Sequence, residues 1–361
     1  DVPTDKPAPT EFQPQRGDQP VIRNHKPIAD YGVIGDLHTV ALVGIDASID
    51  FFCFPYFDSP SIFAALLDND RGGFFDVSPI LKEMKPKQFY LPDTNILMSR
   101  FLSRDGVAEI SDFMVVDEAE EPSHQLVRRA KTVRGDVSFK LECRPRFDYG
   151  RSSHEATQED EHHVVFTAKD DVSPHVRLVS EVPLSIKDGD VVIEFNLKEG
   201  ETATFILEEA DCERKDCRTG LKRASEAFRN TLNYWQNWVK KSQYRGRWRE
   251  MVNRSSLTLK MLTCRPSGAI VAAPTFGLPE TIGGERNWDY RYTWIRDASF
   301  TLYGLIRLGY TEEAAHFMEW IESRCDELEP DGSLQVLYGI DGRHNVPEEE
   351  LPHLSGYLES R

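Results

Sequence analysis

The chain has 361 residues, of which 40% are hydrophobic and 29% are charged, as in an ordinary globular protein. This length exceeds what a single hydrophobic core usually supports, so we expect two domains. The 60 acidic residues outnumber the 43 basic residues and give a formal net charge of −17. Such a surface repels phosphate groups, which argues against nucleic acid and anionic membranes as partners and favours a neutral substrate.

The cysteine content is too low for a disulfide scaffold in a chain of this length; the six are Cys53, Cys143, Cys212, Cys217, Cys264 and Cys325. Cys212 and Cys217 are close in sequence, but no further ligands flank them at the spacing of a metal site. We therefore expect no metal and no cofactor. Scarce cysteines and the lack of a recognisable secretory signal predict reduced thiols and a cytoplasmic protein.

The first part of the chain is dominated by short apolar runs. Residues 1–27 combine several prolines with polar neighbours and predict a disordered or loosely attached arm. From 28 to 210, apolar runs are separated by Gly, Pro, Asp and Ser, as in VALVGI (40–45), HHVVFTA (162–168), DVVIEFNL (190–197) and TATFILEE (202–209). In VSFKLECR (137–144), Val137, Phe139 and Leu141 share one face with period two. Many short strands predict an antiparallel β-sandwich over 28–210, with a mixed α/β domain as the alternative.

Beyond residue 210 the apolar pattern changes to helical spacing. The predicted helices cover 218–243, 247–263, 291–308 and 311–326. Gly309 should end the third helix, and Thr311 should cap the fourth. An all-β block before an all-α block indicates two domains, with 211–246 as a connecting helical segment and 247–361 as the start of the second domain.

The densest cluster of chemically informative residues is GGERNWDYRYTWIRDASF, residues 283–300. Its aromatic rings, which include Trp288 and Trp294, offer rigid surfaces to the apolar faces of sugars. Arginine and aspartate side chains offer donors and acceptors to hydroxyl groups. Asp297 falls near the start of the third helix, where the helix dipole favours a carboxylate. The structural alternative is that the aromatics form a core and the Arg–Asp pairs join helices.

The segment GAIVAAPTFGLPETIGGERNWDYRYTWIRDASFTLYGLIRLGY (268–310) resembles glycoside hydrolase family 15, the glucoamylase and trehalase family. The segment DYGVIGDLHTVALVGIDASIDFFCFPYFDSPSIFAALLD (30–68) resembles the trehalase-type N-terminal domain of that family. RPRFDYGR (144–151) and LQVLYGIDGRHNVPEEELPHLSGY (334–357) match in the same order. The string NWDYRYTWIRD is the most specific, and the resemblance covers most of the chain after residue 28.

This resemblance implies a multidomain fold in which an N-terminal antiparallel β-sandwich precedes the first helices of an (α/α)6 barrel. It also implies inverting hydrolysis of α-glucosidic bonds in trehalose, maltodextrin or a related glucan. The family's Trp-x-Arg-Asp element, which holds the terminal glucose, corresponds to Trp294, Arg296 and Asp297. We expect Trp288 and Tyr338 to contribute to the same substrate-binding site.

The two catalytic glutamates of the family, a general acid and a general base, have no counterpart up to Arg361. We therefore expect them beyond Arg361, and we expect the 361-residue chain to be an inactive part of a longer protein, because an incomplete barrel would expose apolar helix faces. Glu280 and Glu285 are interpreted as turn or cap carboxylates. Two alternatives stay open: a non-catalytic α-glucan-binding or interaction protein, and an α-glucoside phosphorylase. The oligomeric state and the particular α-glucoside are also open.

Overall fold

The structure of the protein is a computed structural model, which describes residues 25–116, 124–210, 220–325 and 332–360. Most of the predicted Pro-rich arm, residues 1–24, and the Cys212–Cys217 pair lie outside these ranges. The strands are β1 (Tyr31–Gly35), β2 (Val40–Gly44), β3 (Ser48–Cys53), β4 (Ser61–Phe63), β5 (Phe74–Pro79), β6 (Lys85–Tyr90), β7 (Leu97–Leu102), β8 (Val107–Met114), β9 (Leu126–Arg134), β10 (Val137–Arg144), β11 (His154–Asp160), β12 (His163–Ala168), β13 (Val176–Ser180), β14 (Ile186–Lys187), β15 (Asp190–Leu197), β16 (Thr202–Glu209), β17 (Thr293–Trp294) and β18 (Leu337–Tyr338). The helices are α1 (Phe147–Gly150), α2 (Gly220–Lys240), α3 (Arg249–Met261), α4 (Ile295–Leu308) and α5 (Glu312–Glu322), with 3-10 turns at Ile28–Asp30 and Tyr357–Glu359.

Within the described ranges, β1 to β16 form two antiparallel sheets of eight strands each. Sheet A has the order β1-β2-β3-β5-β10-β15-β14, with β4 paired to β3, and sheet B has the order β11-β12-β13-β16-β9-β8-β7-β6. The alternative of a mixed α/β domain is wrong for the described part. Its one helix, α1, has four residues and non-helical backbone angles at Asp148 and Tyr149.

The two sheets share one hydrophobic core, as in a β-sandwich. The period-two pattern of β10 is confirmed, because Val137, Phe139 and Leu141 are all fully buried. Phe139 stacks on Phe195 of the same sheet at 5.4 Å between ring centroids, and Phe195 contacts Phe205 of sheet B at 5.4 Å. Burial of such side chains is the main stabilising contribution of this part of the molecule.

Helices α2 to α5 form a second core that includes Trp235, Met261 and Leu305. Trp238 of α2 stacks on Tyr310 with 3.9 Å between ring centroids and an interplanar angle of 5°. The sheet part contributes to this core as well, because Leu37, Val40, Phe57 and Val116 belong to the same cluster. The fold is therefore antiparallel β-sheets followed by a few helices that pack against them.

The predicted connecting segment 211–246 contains α2, which lies against sheet B. Phe228 of α2 contacts Phe113 of β8 at 5.5 Å between ring centroids. The Thr231 hydroxyl accepts a hydrogen bond from the Val116 amide at 3.2 Å. Among the described residues, no helix combines the length and apolar character needed to cross a membrane.

Several helix boundaries differ from prediction, and two of the helix starts are informative. The third helix begins at Ile295 rather than 291, because Thr293 and Trp294 form a strand that pairs with β18. The fourth begins at Glu312, so Thr311 occupies the N-cap position as predicted, but its side chain makes no capping hydrogen bond. Gly309 ends α4 as predicted, with a left-handed φ of 94° that favours glycine.

Candidate functional site

The motif of residues 283–300 begins as an extended loop and ends as α4. The Ala273 amide donates a hydrogen bond to the Tyr290 carbonyl at 2.9 Å, which ties the loop to the segment before it. The pairing of β17 with β18 then places Trp294 opposite Leu337, and α4 starts at Ile295. The backbone at Trp294 is therefore fixed from both sides before the helix begins.

Arg296 and Asp297 occupy the first turn of α4. The Arg296 guanidinium donates from Nη2 and Nε to Asp297 Oδ2, at 3.1 and 3.2 Å. The Arg296 side chain is 72% exposed and that of Asp297 is 36% exposed. An ion pair this open contributes little to stability. Its donors and acceptors remain accessible to a hydroxylated ligand, and the positive end of the helix dipole favours the carboxylate.

Two tryptophans lie before this pair. The Trp294 ring is half-buried, 6.2 Å from the Tyr290 ring centroid, and its Nε1–H is buried without a hydrogen-bond partner. Indole Nε1 is a donor only, and a buried donor usually has an acceptor. Trp288 is 45% exposed, so its ring is available as a surface for a sugar face.

The structure brings Tyr338 beside the motif but not to the surface. Tyr338 pairs with Thr293 across β17 and β18, and its side chain is buried. Its hydroxyl accepts a hydrogen bond from the Gln335 amide at 2.8 Å. Its ring meets Trp320 of α5 edge-on at 5.7 Å. Tyr338 therefore belongs to the two-stranded pairing that holds Thr293 and Trp294.

Arg291, in the middle of the motif, is a structural residue that the sequence pattern did not distinguish from Arg296. It is 1% exposed and binds both carboxylate oxygens of Asp289, at 2.9 Å from Nε and 2.6 Å from Nη2. It also donates to the Ser59 carbonyl at 2.6 Å and to the Tyr149 hydroxyl at 2.9 Å. Ser59 and Tyr149 both lie in the part of the chain that forms the two sheets, so Arg291 fastens the motif to this sheet domain.

Apart from Asp289, the side chains that contact Arg291 are uncharged. Burial raises the pKa of Tyr149 to about 12 and that of the Cys53 thiol to about 11, so both stay protonated at neutral pH. The Cys53 sulfur lies 3.1 Å from Arg291 Nη1, and the guanidinium stacks on the Phe276 ring at 4.5 Å. Arg291 and Asp289 are therefore held by contacts within the protein, although these contacts join the motif to the sheet domain and not one helix to another.

A second link joins the sheet domain to the loop after β18. The Arg343 guanidinium lies 2.7 Å from Asp58 Oδ2 and 3.0 Å from Asp341 Oδ2. The Gly339 amide donates to the Arg343 carbonyl at 2.8 Å and closes the loop. Asp58 and Ser59 come from the connection between β3 and β4, so one sheet-domain connection holds both segments of the site.

Glu280 and Glu285, interpreted from the sequence as turn or cap carboxylates, both lie on exposed loop. The Glu280 amide donates to the Arg286 carbonyl at 2.9 Å, which closes a turn. The Glu280 carboxylate lies 3.7 Å from the Arg286 guanidinium. This position agrees with a turn residue.

Two family profiles match the chain. Residues 21–194 match the family described as "Trehalase-like, N-terminal", and residues 246–361 match "Glycosyl hydrolases family 15". The first match covers most of the two sheets, and the second covers α3 to α5 together with the exposed Arg296–Asp297 pair. The order of the two matches is the order of the β and α parts of the structure.

Several curated relatives align over nearly the whole chain. A trehalase of Mycolicibacterium smegmatis is 34% identical over 95% of this chain, and a trehalase of Thermoplasma volcanium is 32% identical over 94%. "Trehalase 1" of Sulfolobus acidocaldarius is 32% identical over 91%. Each alignment spans 54% of the relative, so the chain spans about half the length of the curated relatives it matches. The chain therefore carries a trehalase-like N-terminal domain followed by a segment of glycosyl hydrolases family 15.

Proposed function

We propose that the protein hydrolyses α-glucosidic bonds with inversion, that trehalose is its substrate, and that this chain supplies the N-terminal domain and part of the glucose-binding pocket. In this proposal Arg296 donates to the hydroxyls of the terminal glucose and Asp297 accepts from them. Trp294 donates its free indole N–H, and Trp288 stacks on the apolar face of a sugar ring. Tyr338 positions the Trp294 backbone. The names of the relatives support trehalose over other α-glucosides, and the cytoplasmic location stays a prediction from cysteine content.

The observation that carries the proposal is the contrast between the two Arg–Asp pairs of the motif. All three nitrogens of the Arg291 guanidinium donate hydrogen bonds to protein groups. Arg296, five residues later, contacts its neighbour Asp297 and is otherwise open to solvent. A residue kept for stability would be buried with its partners, as Arg291 is. An exposed charged pair at a helix start, next to a tryptophan with a free donor, suits ligand binding instead.

We further propose that α3, α4 and α5 belong to an (α/α)6 barrel. One side of α4 carries Ala298, Leu302 and Leu305, which are buried. The other side exposes Phe300 and Tyr303, at 74% and 61%, and continues to Ile306 on the next turn. Apolar side chains in such a row usually meet a partner surface. We propose that further helices of the barrel cover these exposed apolar side chains.

Inverting hydrolysis requires two carboxyl groups roughly 6.5–9.5 Å apart, one acid and one base with a water between them. Arg296 and Asp297 do not fill these roles, because this pair contains one carboxyl group, held against a guanidinium, and not two carboxyl groups at that separation. In the proposal they bind the substrate, and glutamates outside this chain carry the proton transfers. Tighter hydrogen bonds to the sugar in the transition state then contribute to the rate.

The test is an assay of the polypeptide encoded by the complete reading frame, with trehalose, maltose and isomaltose as substrates. We expect trehalose cleavage, with one glucose released as the β-anomer, as detected by proton NMR within minutes of mixing. The chain alone, titrated with trehalose while tryptophan fluorescence is followed, tests binding. Product formation that depends on inorganic phosphate would indicate a phosphorylase, and binding without glucose release from any α-glucoside would refute hydrolysis.

The residue assignment is tested by Asp297→Asn in the same polypeptide. Losing a charge-assisted hydrogen bond, worth about 1.5–3 kcal/mol, should lower kcat/KM by roughly 10- to 100-fold. The control is Glu312→Gln, a more exposed carboxylate that occupies the first turn of α5 and pairs with Lys241. Unchanged kcat/KM in the Asp297 variant would contradict the assigned role.

A further inference from the structure

Three ionisable side chains meet in the sheet domain, away from the proposed sugar site. Asp36 and His38 lie in the connection between β1 and β2, and His124 lies just before β9. Their exposures are 2%, 3% and 5%, so all three are more than nine-tenths buried. They join sheet A to sheet B, since β1 and β2 belong to the first and β9 to the second.

The Asp36 carboxylate is held in one orientation by the backbone. Its Oδ1 accepts hydrogen bonds from the amides of His38 and Thr39, both at 2.9 Å. Its Oδ2 points toward His124 Nδ1 at 3.5 Å, which is too long for a hydrogen bond. Both of these buried atoms lack a hydrogen-bond partner. Buried polar atoms are nearly always satisfied, so a facing pair of unsatisfied atoms indicates a group that binds between them.

The two imidazoles are arranged as metal ligands are. One carboxylate oxygen and one ring nitrogen from each histidine all lie within 4.8 Å of one another. His38 Nδ1 lies 3.1 Å from the Asp36 carbonyl, so it donates there and leaves Nε2 without a proton. A ligand histidine commonly donates its second nitrogen to a backbone carbonyl in this way. The His38 and His124 rings stand at 88° with 5.0 Å between centroids.

The separations also fit the size of an ion. Zn²⁺ binds nitrogen and oxygen at about 2.0–2.2 Å in tetrahedral geometry, which puts two ligand atoms about 3.4 Å apart. The distance from Asp36 Oδ2 to His124 Nδ1 is 3.5 Å. Two imidazoles with one carboxylate favour Zn²⁺ and related transition ions over Mg²⁺ and Ca²⁺, which prefer all-oxygen ligand sets.

We propose that Asp36, His38 and His124 bind one divalent transition metal ion, with Zn²⁺ as the best match to the ligand set and a water molecule at the fourth position.

The ion would act as a structural clamp. Leu37, between two of the ligands, accepts a hydrogen bond from the Arg265 amide at 2.9 Å and belongs to the helical core. A metal at this point therefore ties the two sheets together beside the surface on which the helices pack. The role differs from the sugar site and is independent of it.

The binding experiment uses the full chain after dialysis against a chelator, with Cys212→Ser and Cys217→Ser included so that these thiols cannot bind metal. Isothermal titration with Zn²⁺ should give a stoichiometry of one, and Zn²⁺ should raise the unfolding temperature. Co²⁺ should give the visible absorption of a low-symmetry nitrogen and oxygen site. If neither ion binds above a buffer blank, the proposal is overturned.

Variants identify the ligands. His124→Asn should weaken Zn²⁺ binding on the order of tenfold or more, as should Asp36→Asn, which retains an oxygen acceptor for the backbone amides. Circular dichroism establishes that each variant is folded before titration, and Asp36→Asn decides the question if His124→Asn is unfolded. The control is His163→Asn, which removes a histidine of β12 that pairs with Asp160 away from the proposed metal site. Equal affinity in the folded ligand variants and the control would refute this site.

Discussion

Replacing Arg291 by methionine should lower the stability of the protein, whereas the same replacement at Arg296 should lower its affinity for the sugar. Arg291→Met removes a buried guanidinium and leaves Asp289, the Ser59 carbonyl and the Tyr149 hydroxyl without their donor. Breaking a buried ion pair in this way costs about 3–5 kcal/mol. We expect a cost near the lower end of this range, because the Asp289 side chain is 31% exposed and its carboxylate can be hydrated once the guanidinium is removed. That loss is a large part of a typical folding free energy of about 5–15 kcal/mol.

Arg296→Met should behave differently. Its side chain is 72% exposed and its ion pair with Asp297 contributes about 0–1 kcal/mol, so the free energy of unfolding should hardly change. Trehalose affinity should instead fall by roughly 10- to 100-fold, which corresponds to one lost charge-assisted hydrogen bond. Arg307→Met, an exposed arginine in the last turn of the same helix, is the control and should alter neither quantity.

The assay combines urea unfolding, followed by circular dichroism, with trehalose titration of each variant at a urea concentration where the protein is folded. The expected result is a lower urea midpoint for Arg291→Met with sugar affinity retained in the folded protein, and the reverse for Arg296→Met. A stable Arg291→Met protein, or an Arg296→Met protein that unfolds more easily yet binds trehalose normally, would refute the separation of structural and binding roles.

Three further predictions concern the folded framework. Phe139→Ala should lower the free energy of unfolding by about 3–5 kcal/mol, measured by urea denaturation, because the ring is fully buried between the sheets. Gly309→Ala should lower it by about 1–2 kcal/mol, seen as a lower unfolding temperature, since φ is 94° there. Burial alone would raise the pKa of Glu313, but the Lys260 charge and the Trp238 hydrogen bond lower it below 4.5. The ionised Glu313 carboxylate therefore stabilises the protein above about pH 4.5, and this contribution is lost as the pH falls through the folded-state pKa. The Glu313→Gln variant should show an unfolding temperature that depends less on pH between about pH 7 and 3. An unchanged pH profile of the unfolding temperature would contradict this.

The strands of the sheet domain were largely predictable because the sequence of a strand itself shows which of its faces is buried. Val137, Phe139 and Leu141 alternate with polar residues, and this local alternation follows from one face of the strand being buried. The start of α4 was not predictable in the same way. Residues 291–294 have helical spacing, but Thr293 and Trp294 pair with a strand more than 40 residues later. Non-local pairing leaves no trace in a local window.

The candidate site was predictable only in part for the same reason. Arg291 and Arg296 look alike in sequence, and the difference between them comes from Ser59 and other partners more than 200 residues earlier. Asp36 and His38 are neighbours, but His124 joins them through the packing of the two sheets. A cluster assembled from distant segments has no spacing rule, so sequence patterns alone do not reveal it.

The fastening of Arg291 to Ser59 constrains how this protein can be recombined with others. A chimera that takes residues 283–300 from this chain and places them on a foreign helical scaffold would bring the guanidinium without the carbonyl and hydroxyl that surround it. Grafts should therefore include the turn between β3 and β4 as well as the motif. Natural exchange of the two parts between relatives faces the same requirement, so the two should be inherited together.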